Sequence, residues 1–204
     1  ATLLAPGART SAIALRLVSS GADVLCLQEV EPSLVEAIRA HDMYDVRYVQ
    51  KGRDKPDGCA MLARRATVCF EEVRELAYPD GSGHVALLAV VRPLDVGAGN
   101  AIGVATTHVK WDPPGTPEPE RWATRQLGVL LAALEGWSRE TQADAPPLAW
   151  VACGDFNVTP DDPVLEVFRG YRDVYANTPH ARPTVNANGR PRRIDFVFAD
   201  HRLG

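Results

Sequence analysis

The chain has 204 residues, of which 46% are hydrophobic, and 26 acidic residues against 22 basic ones give a net charge of -4. A chain of this size can bury a sizeable core, and no shift in composition divides it, so we expect one domain over residues 1–204. The excess of acidic residues argues against extensive nonspecific binding to duplex nucleic acid. No apolar run is long enough to span a bilayer, so we expect no membrane partner. Cysteines without a disulfide pattern favour a cytoplasmic protein.

The spacing of apolar residues predicts helices and strands in alternation. A first helix over residues 3–21 is indicated by Ile13, Leu17 and Val18 at helical spacing, with Gly21 as its stop. The other predicted elements, in chain order, are strand 23–29, helix 32–41, strands 44–50 and 58–64, a long strand or strand pair 67–77, strands 84–92 and 100–108, helix 122–138, strand 148–153, a short helix from Asp161 and strand 194–199. Hairpins and crossover helices in this order suit two packed sheets flanked by helices.

The four cysteines have no CxxC spacing, and each falls in an apolar, strand-like run. They are Cys26, Cys59, Cys69 and Cys153. This pattern predicts buried, reduced thiols in place of a disulfide framework or a metal site.

Polar residues stand at the ends of several predicted strands. Glu29 ends one, His108 and Lys110 end another, and Asp155 and Asn157 follow a third. Open α/β sheets bind their ligands at such strand ends. Asp155 and Asn157 are two residues apart, so on an extended backbone both side chains lie on one face. Taken alone, this last run also fits a simple turn, because Gly, Asp and Asn are turn formers.

Two more acidic residues belong to the same pattern. Asp57 lies in a polar turn that opens the strand 58–64. Asp195 lies inside an apolar strand, where an ionised carboxylate is costly unless a partner compensates it.

Five motifs carry a family resemblance, and they stand in the order Gln28-Glu29, Asp57-Gly58-Cys59-Ala60, Thr107-His108-Val109-Lys110, Gly154-Asp155-Phe156-Asn157 and Ile194-Asp195-Phe196. Together they resemble the endonuclease/exonuclease/phosphatase superfamily of Mg²⁺-dependent phosphoesterases. The second and third motifs are most similar to the branch that holds the RNA deadenylases, nocturnin and the Angel proteins. Similarity extends from about Arg9 to Leu203.

The resemblance implies an α/β fold, a four-layer αββα sandwich of two packed mixed sheets flanked by helices. Relatives begin with a strand that carries a metal-binding Asn and end with a strand that carries Ser-Asp-His. Neither is found in this sequence, so we expect the domain to be incomplete at both ends. Asp200-His201 imitates the second motif but follows Asp195 too closely, and we expect His201 at the surface.

The resemblance also implies a role for each residue of the strand ends. Glu29 is the expected ligand of Mg²⁺ (or Mn²⁺), a hard cation that needs few carboxylates because it keeps several waters. Asp155 would orient or deprotonate the attacking water, and Asn157 would hold a phosphate oxygen or that water. His108 and Lys110 would donate to phosphoryl oxygens.

Asp195, the fourth expected catalytic residue, holds a histidine in the correct tautomer in relatives. Arg125 and Gln126, on the predicted helix 122–138, match the family only loosely and are expected to support the site from behind at most.

The candidate substrate-binding residues are Lys110, Asp57, Trp111 and Arg193. Trp111 opens a proline-rich loop beside the strand end and offers a face for a base or ribose. The alternative, slightly favoured, is a rigid connector with Trp111 packed underneath. Arg193 ends a basic run, which either attracts phosphate or forms a solvated loop.

The expected function is hydrolysis of phosphate esters at RNA ends or in small nucleotides, with 2′,3′-cyclic phosphate slightly preferred. Asp112 stands where nocturnin-like chains have a basic residue, which weakens an NADP phosphatase. The run 188–193 lacks the aromatic residue of deadenylases, which weakens poly(A) trimming. The alternatives are a 3′–5′ RNA exonuclease of the same family and a non-catalytic module that binds a nucleotide or a protein.

Overall fold

A computed structural model describes residues 7–52, 54–96, 100–140, 148–179, 181–187 and 189–203. The α-helices are α1 (Ala8–Val18), α2 (Pro32–Arg39) and α3 (Trp122–Glu140). The strands are β1 (Val24–Val30), β2 (Tyr44–Gln50), β3 (Gly58–Arg64), β4 (Val68–Ala77), β5 (Val85–Pro93), β6 (Ile102–His108), β7 (Trp150–Asp155), β8 (Tyr171–Asp173), β9 (Val185–Ala187), β10 (Arg190–Arg192) and β11 (Asp195–Asp200). Short 3₁₀ helices cover Glu118–Glu120, Pro163–Phe168 and His201–Leu203.

The strands form two stacked sheets. The smaller sheet has the order β1-β3-β2 and is antiparallel, whereas the larger one has the order β4-β5-β6-β7-β11-β8. Its central pair, β6 and β7, is parallel because helix α3 connects them as a crossover. A separate two-stranded hairpin joins β9 to β10.

Alternating side chains along β3 and β5 build the layers. Met61 on β3 packs with Leu87 on β5 in the core between the sheets, whereas Leu62 faces α1 and α2. Leu88 points the other way, toward α3. Both strands are buried on both faces, which explains their continuous apolar sequences. The predicted four layers, helices outside and two sheets inside, are therefore confirmed.

Most predicted elements lie within a few residues of the observed ones. The predicted start of the first helix, residues 3–6, lies outside the described residues, and α1 ends at Val18. The stretch 67–77 is one strand, β4, with an irregularity between Phe70 and Glu72. Strands β8, β9 and β10 were not predicted, because three-residue strands carry no readable periodicity.

All four cysteines are free thiols, as expected. Cys59 is fully buried and the other three residues are half-buried, but the Cys26 thiol itself is enclosed, and a hydrogen bond with Cys153 together with burial raises its pKa. The prediction of buried thiols is therefore right for Cys26 and Cys59. Burial raises the pKa of Cys59 to about 12. In the described part of the chain, we find no helix with the length and apolar character needed to cross a membrane.

Candidate active site

The ends of three neighbouring strands bring three predicted residues into one row. His108 at the end of β6 pairs in register with Asp155 at the end of β7, and Asp155 pairs with Asp195 on β11. Glu29 comes from β1 of the other sheet, with its Oε1 4.0 Å from His108 Nδ1. His108 Nε2 lies 3.9 Å from Asp155 Oδ2, so the histidine stands between two carboxylates.

The backbone at this edge is shaped by residues in unusual conformations. Gly154 has φ 140°, and a Cβ there would lie 1.9 Å from the carbonyl oxygen of Thr107. Only glycine permits this approach of β7 to β6, which explains the glycine of the Gly-Asp-Phe-Asn motif. Glu29 and Asn157 also have positive φ, of 56° and 53°. Such strain in non-glycine residues is concentrated at functional sites.

His108 is buried and held from two sides. Lys51 Nζ lies 3.2 Å from its Nδ1 and 2.5 Å from Asp57 Oδ2. His84 Nδ1 donates to the carbonyl oxygen of His108 at 2.7 Å. Burial, together with the nearby Lys51 and His84, lowers the pKa of His108 to about 4. The ring is therefore neutral at physiological pH and can donate one hydrogen bond as a neutral imidazole.

The pKa of Asp155 is shifted upward, in contrast to that of His108. Burial, with the neighbouring Asp195 and Glu29, raises its pKa to about 6, although a hydrogen bond from the Asn157 amide lowers it. That amide N–H donates to Asp155 Oδ1 at 2.8 Å. A carboxylate with this pKa is ionised near neutrality and still basic enough to accept a proton.

Asn157 and Lys110 are close to the row but are engaged with the protein. Asn157 Nδ2 donates to the carbonyl oxygen of Val109 at 2.8 Å, so the side chain ties β7 to the end of β6. Lys110 Nζ lies 3.9 Å above the ring of Trp122. A contact of either residue with a phosphoryl oxygen stays a prediction.

Gln126 supports the backbone of the site at Lys110, in agreement with the indirect role expected for it. Its buried side chain accepts from the Lys110 backbone N–H at 2.9 Å and donates to Asp80 Oδ2 at 2.6 Å and Ser82 Oγ at 3.0 Å. Arg125 is exposed, and its guanidinium lies 4.5 Å above the ring of Trp122.

The proline-rich loop borders a groove of about 630 Å³ next to the row. Trp111, Asn157, Arg192 and Ile194 line it. The prediction that Trp111 packs underneath the loop is wrong, since 54% of the residue is exposed. The loop is fixed elsewhere, which leaves the indole at the surface.

Two acids fix this loop. Both carboxylate oxygens of Asp112 accept from the first N–H groups of α3, at Trp122 (2.7 Å) and Ala123 (3.0 Å). Arg121 forms a bidentate pair with Asp162, at 2.8 and 2.6 Å. Asp112, which departs from the basic residue of nocturnin-like chains, thus caps a helix.

Arg193 and Asp57 are engaged with other residues of the protein. The guanidinium of Arg193 is buried against Asp173, at 3.1 and 2.5 Å, and lies over the Phe196 ring. A contact of Arg193 or Asp57 with a substrate stays a prediction. Asp57 anchors Lys51, and His201 is exposed, as predicted.

Lys51 is a residue of the site that the sequence does not identify. It follows directly after β2 and, although charged, is buried. A lysine among other basic residues before a turn predicts a solvated loop as readily as a site, and only its contacts separate the two.

A divalent cation fits the acidic side of the row. Within the described ranges, no three His, Cys, Asp or Glu side chains form a ready-made metal cage. Mg²⁺ does not need one, because it is held by one or two carboxylates and several waters. The side chain of Glu29 is 74% exposed, and its charge adds to the repulsion felt by Asp155. A cation here would relieve that repulsion.

Comparisons with known proteins support the sequence resemblance. The model of the Endonuclease/Exonuclease/phosphatase family matches residues 2–204. Human protein angel homolog 2 is 32% identical over 174 residues, covering 78% of this chain and 30% of its own length. The CCR4-Not complex 3′-5′-exoribonuclease subunit Ccr4 of Kluyveromyces lactis is 27% identical over 190 residues, covering 75% of this chain and 23% of that protein. The chain thus matches less than a third of the length of either relative.

Solved structures show the same fold. The crystal structure of ANGEL2, a 2′,3′-cyclic phosphatase, superposes with a TM-score of 0.77 at 21% identity and covers 94% of this chain and 73% of that one. The human Nocturnin catalytic domain gives 0.75 at 18% identity, with 95% and 74% covered. The family model across nearly every residue, joined to the row of Glu29, His108, Asp155 and Asp195, shows that this chain belongs to the endonuclease/exonuclease/phosphatase family.

Proposed function

We propose that the chain carries the active site of a divalent-metal-dependent phosphoesterase that hydrolyses phosphate esters at RNA ends or in small nucleotides. The observation that carries this proposal is the neutral His108 beside Asp155, a carboxylate whose raised pKa suits a base. A strand-end row that combines an acceptor of protons with a neutral donor provides the parts that phosphoester hydrolysis requires.

Glu29 would hold Mg²⁺ or Mn²⁺ from the exposed bulge of β1. The bound cation would polarise a phosphoryl oxygen and neutralise its charge. Asp155 accepts the proton of the attacking water, and its pairing in register with His108 keeps the two groups next to each other. His108 donates from its ring to a phosphoryl oxygen as negative charge builds there.

Asn157 and Lys110 complete the surroundings of the phosphate in this proposal. Asn157 follows Asp155 by two residues and lines the groove, so its amide can hold a phosphate oxygen or the water. Lys110 needs only a side-chain rotation away from Trp122 to present its ammonium as a point charge. Asp195 acts on Asp155 by raising its pKa.

A nucleoside fits the groove beside the row. Trp111 offers an exposed aromatic face, and Arg192 lines the same groove, so a base and a neighbouring phosphate can be held together. One similar structure is that of ANGEL2 in complex with adenosine-2′,3′-vanadate, which supports a terminal 2′,3′-cyclic phosphate as the preferred substrate. The Ccr4 relative supports the second candidate, a 3′–5′ exoribonuclease.

The test is a substrate panel in Mg²⁺, in Mn²⁺ and in chelator. It contains an RNA with a 2′,3′-cyclic phosphate, the same RNA with a free 3′ hydroxyl, and a poly(A) tract. We expect loss of the cyclic phosphate without shortening of the RNA, and no reaction in chelator. Shortening of the RNA would establish the exonuclease instead. Nucleotide binding without turnover of any substrate would overturn the catalytic proposal in favour of a binding module.

A further inference from the structure

We propose that Lys51 is a positioning residue, which fixes His108 in the tautomer that carries its proton on Nε2. The ammonium of Lys51 contacts the ring directly, 3.2 Å from Nδ1, and its own position is fixed by Asp57. Only 5% of the Lys51 side chain is exposed, so water does not compete for these contacts.

The assignment follows from the donors available. An ammonium group has three N–H donors and no acceptor, so the ring nitrogen that faces it must accept. A neutral imidazole has one protonated and one unprotonated nitrogen. Nδ1 is therefore the unprotonated one, and the proton lies on Nε2, the nitrogen that is 3.9 Å from Asp155 Oδ2.

The other charged groups around the ring do not reverse this assignment. Glu29 Oε1 is also near Nδ1 and would favour a proton there, but at 4.0 Å it is farther away than Lys51. His84 packs edge-on against the ring and binds the backbone carbonyl of His108, not its nitrogens. The charge of Lys55 lowers the pKa of His108, as that of Lys51 does, and therefore does not favour a proton on Nδ1.

The consequence for catalysis rests on the proposed function. With the proton on Nε2, His108 directs an N–H toward the side of the row where Asp155 accepts a proton, and where the phosphoryl oxygen would lie. With the proton on Nδ1, the ring would turn a lone pair toward the Asp155 carboxylate and toward the phosphate. A histidine in the wrong tautomer keeps its place and loses its function.

The first measurement is NMR of the protein labelled with ¹⁵N-histidine, with His108 assigned by comparison with His108→Gln. We expect the ring signals of His108 to show protonated Nε2 and unprotonated Nδ1. In Lys51→Met, which keeps the length of the side chain, the population with protonated Nδ1 should rise. Lys55→Met removes another positive charge that acts on the ring, and it should leave the tautomer unchanged.

Kinetics then separate positioning from phosphate binding. We expect Lys51→Met to lower kcat by about 10-fold or more, with a change in KM of no more than about twofold. A lysine that simply binds phosphate would raise KM instead.

If Lys51→Met does not fold, Asp57→Asn loosens the same ammonium and should shift the tautomer in the same direction. An unchanged Nε2–H tautomer in a folded Lys51→Met would overturn the proposal. The NMR result needs no substrate, so it stands apart from a failure of the proposed activity.

Discussion

The two sides of the candidate site are held very differently. The backbone of the segment His108–Lys110 is fixed by several hydrogen bonds: His84 donates to its first carbonyl, Asn157 donates to its second, and Gln126 accepts from its last N–H. Glu29, on the opposite side, lies on an irregularity of β1 with its side chain 74% exposed.

This difference teaches which part of the reaction each side can supply. A buried side chain fixed by several hydrogen bonds can hold a reacting group within a fraction of an ångström of its place. An exposed carboxylate on a bulge suits a cation that keeps its own waters and brings them into the site. We therefore assign orientation and proton transfer to the tied side, which is the segment His108–Lys110 with the adjoining Asp155 of β7. We assign metal binding to the exposed side, which is Glu29.

Loss of the base on the tied side should have the largest effect. Asp155→Ala should lower turnover by ~10²-fold or more, the range for a lost general base, while the metal still binds. Steady-state kinetics on the best substrate of the panel, with calorimetry for the metal, measure both quantities. The control is Asp161→Ala, an exposed acid six residues farther along, which should retain full activity. Wild-type turnover in Asp155→Ala would refute the phosphoesterase mechanism.

Neutralising the exposed side should affect the metal first. Glu29→Gln keeps the size of the side chain but removes its charge, so affinity for Mg²⁺ or Mn²⁺ should fall by about 10–100-fold. The midpoint of thermal unfolding should hardly change, since the side chain is mostly in water. Glu31→Gln, an exposed acid two residues farther along the chain, is the matched control. If calorimetry shows equal metal affinity in Glu29→Gln and wild type, the assignment of Glu29 is wrong.

The buried charge of Asp155 should also cost stability in a pH-dependent way. Its folded-state pKa of about 6 lies above the ordinary value, so the ionised carboxylate destabilises the folded chain above that pH. Below about pH 4, folded and unfolded chains are both protonated and the cost disappears.

Asp155→Asn keeps the acceptor for the Asn157 amide but cannot ionise. Without metal, we therefore expect it to be more stable than wild type by about 1–3 kcal/mol at pH 8, and equal to it at pH 4. Denaturant unfolding in chelator at the two pH values gives the comparison. A variant less stable than wild type at pH 8 would show that the interactions of the ionised carboxylate stabilise the folded chain by more than the burial of its charge destabilises it.

The sequence alone predicts the fold and most of the row. Apolar runs such as those of β3 and β5 identify buried strands, and motif order identifies the family, so the four layers follow. Asp155, His108 and Glu29 could be named because each stands where an apolar run ends. The closeness of His108 and Asp155 follows from the pairing of parallel β6 with β7, a regular consequence of the crossover through α3.

What the sequence could not predict depends on side-chain contacts between distant segments. Lys51 and Arg193 look alike in sequence, each a base in a basic run, yet one contacts His108 and the other is bound to Asp173. The sequence favours a Trp111 packed beneath its loop, but the indole is exposed. The sequence does not reveal that Asp112 anchors the loop to the N-terminus of α3, ten positions farther along the chain. Pairing and capping at such distances leave no periodic signal.

The smallest expected effect concerns the rim of the groove, which belongs to neither the tied side nor the metal side. Trp111 is exposed, so its stacking on one base should lie at the lower end of the ~1–3 kcal/mol range for such contacts. Trp111→Ala should therefore raise KM by roughly five- to tenfold for a nucleoside substrate and leave kcat nearly unchanged. Trp111→Phe keeps a flat ring and should restore most of the affinity. Tyr175→Ala, which removes an exposed aromatic residue outside the groove, is the control. A small phosphate ester without a base should be hydrolysed equally by Trp111→Ala and wild type, because nothing in it stacks. If Trp111→Ala instead lowers kcat for both substrates, the indole is supporting the Asn157 side of the row, and the separation of rim from catalytic side would have to be abandoned.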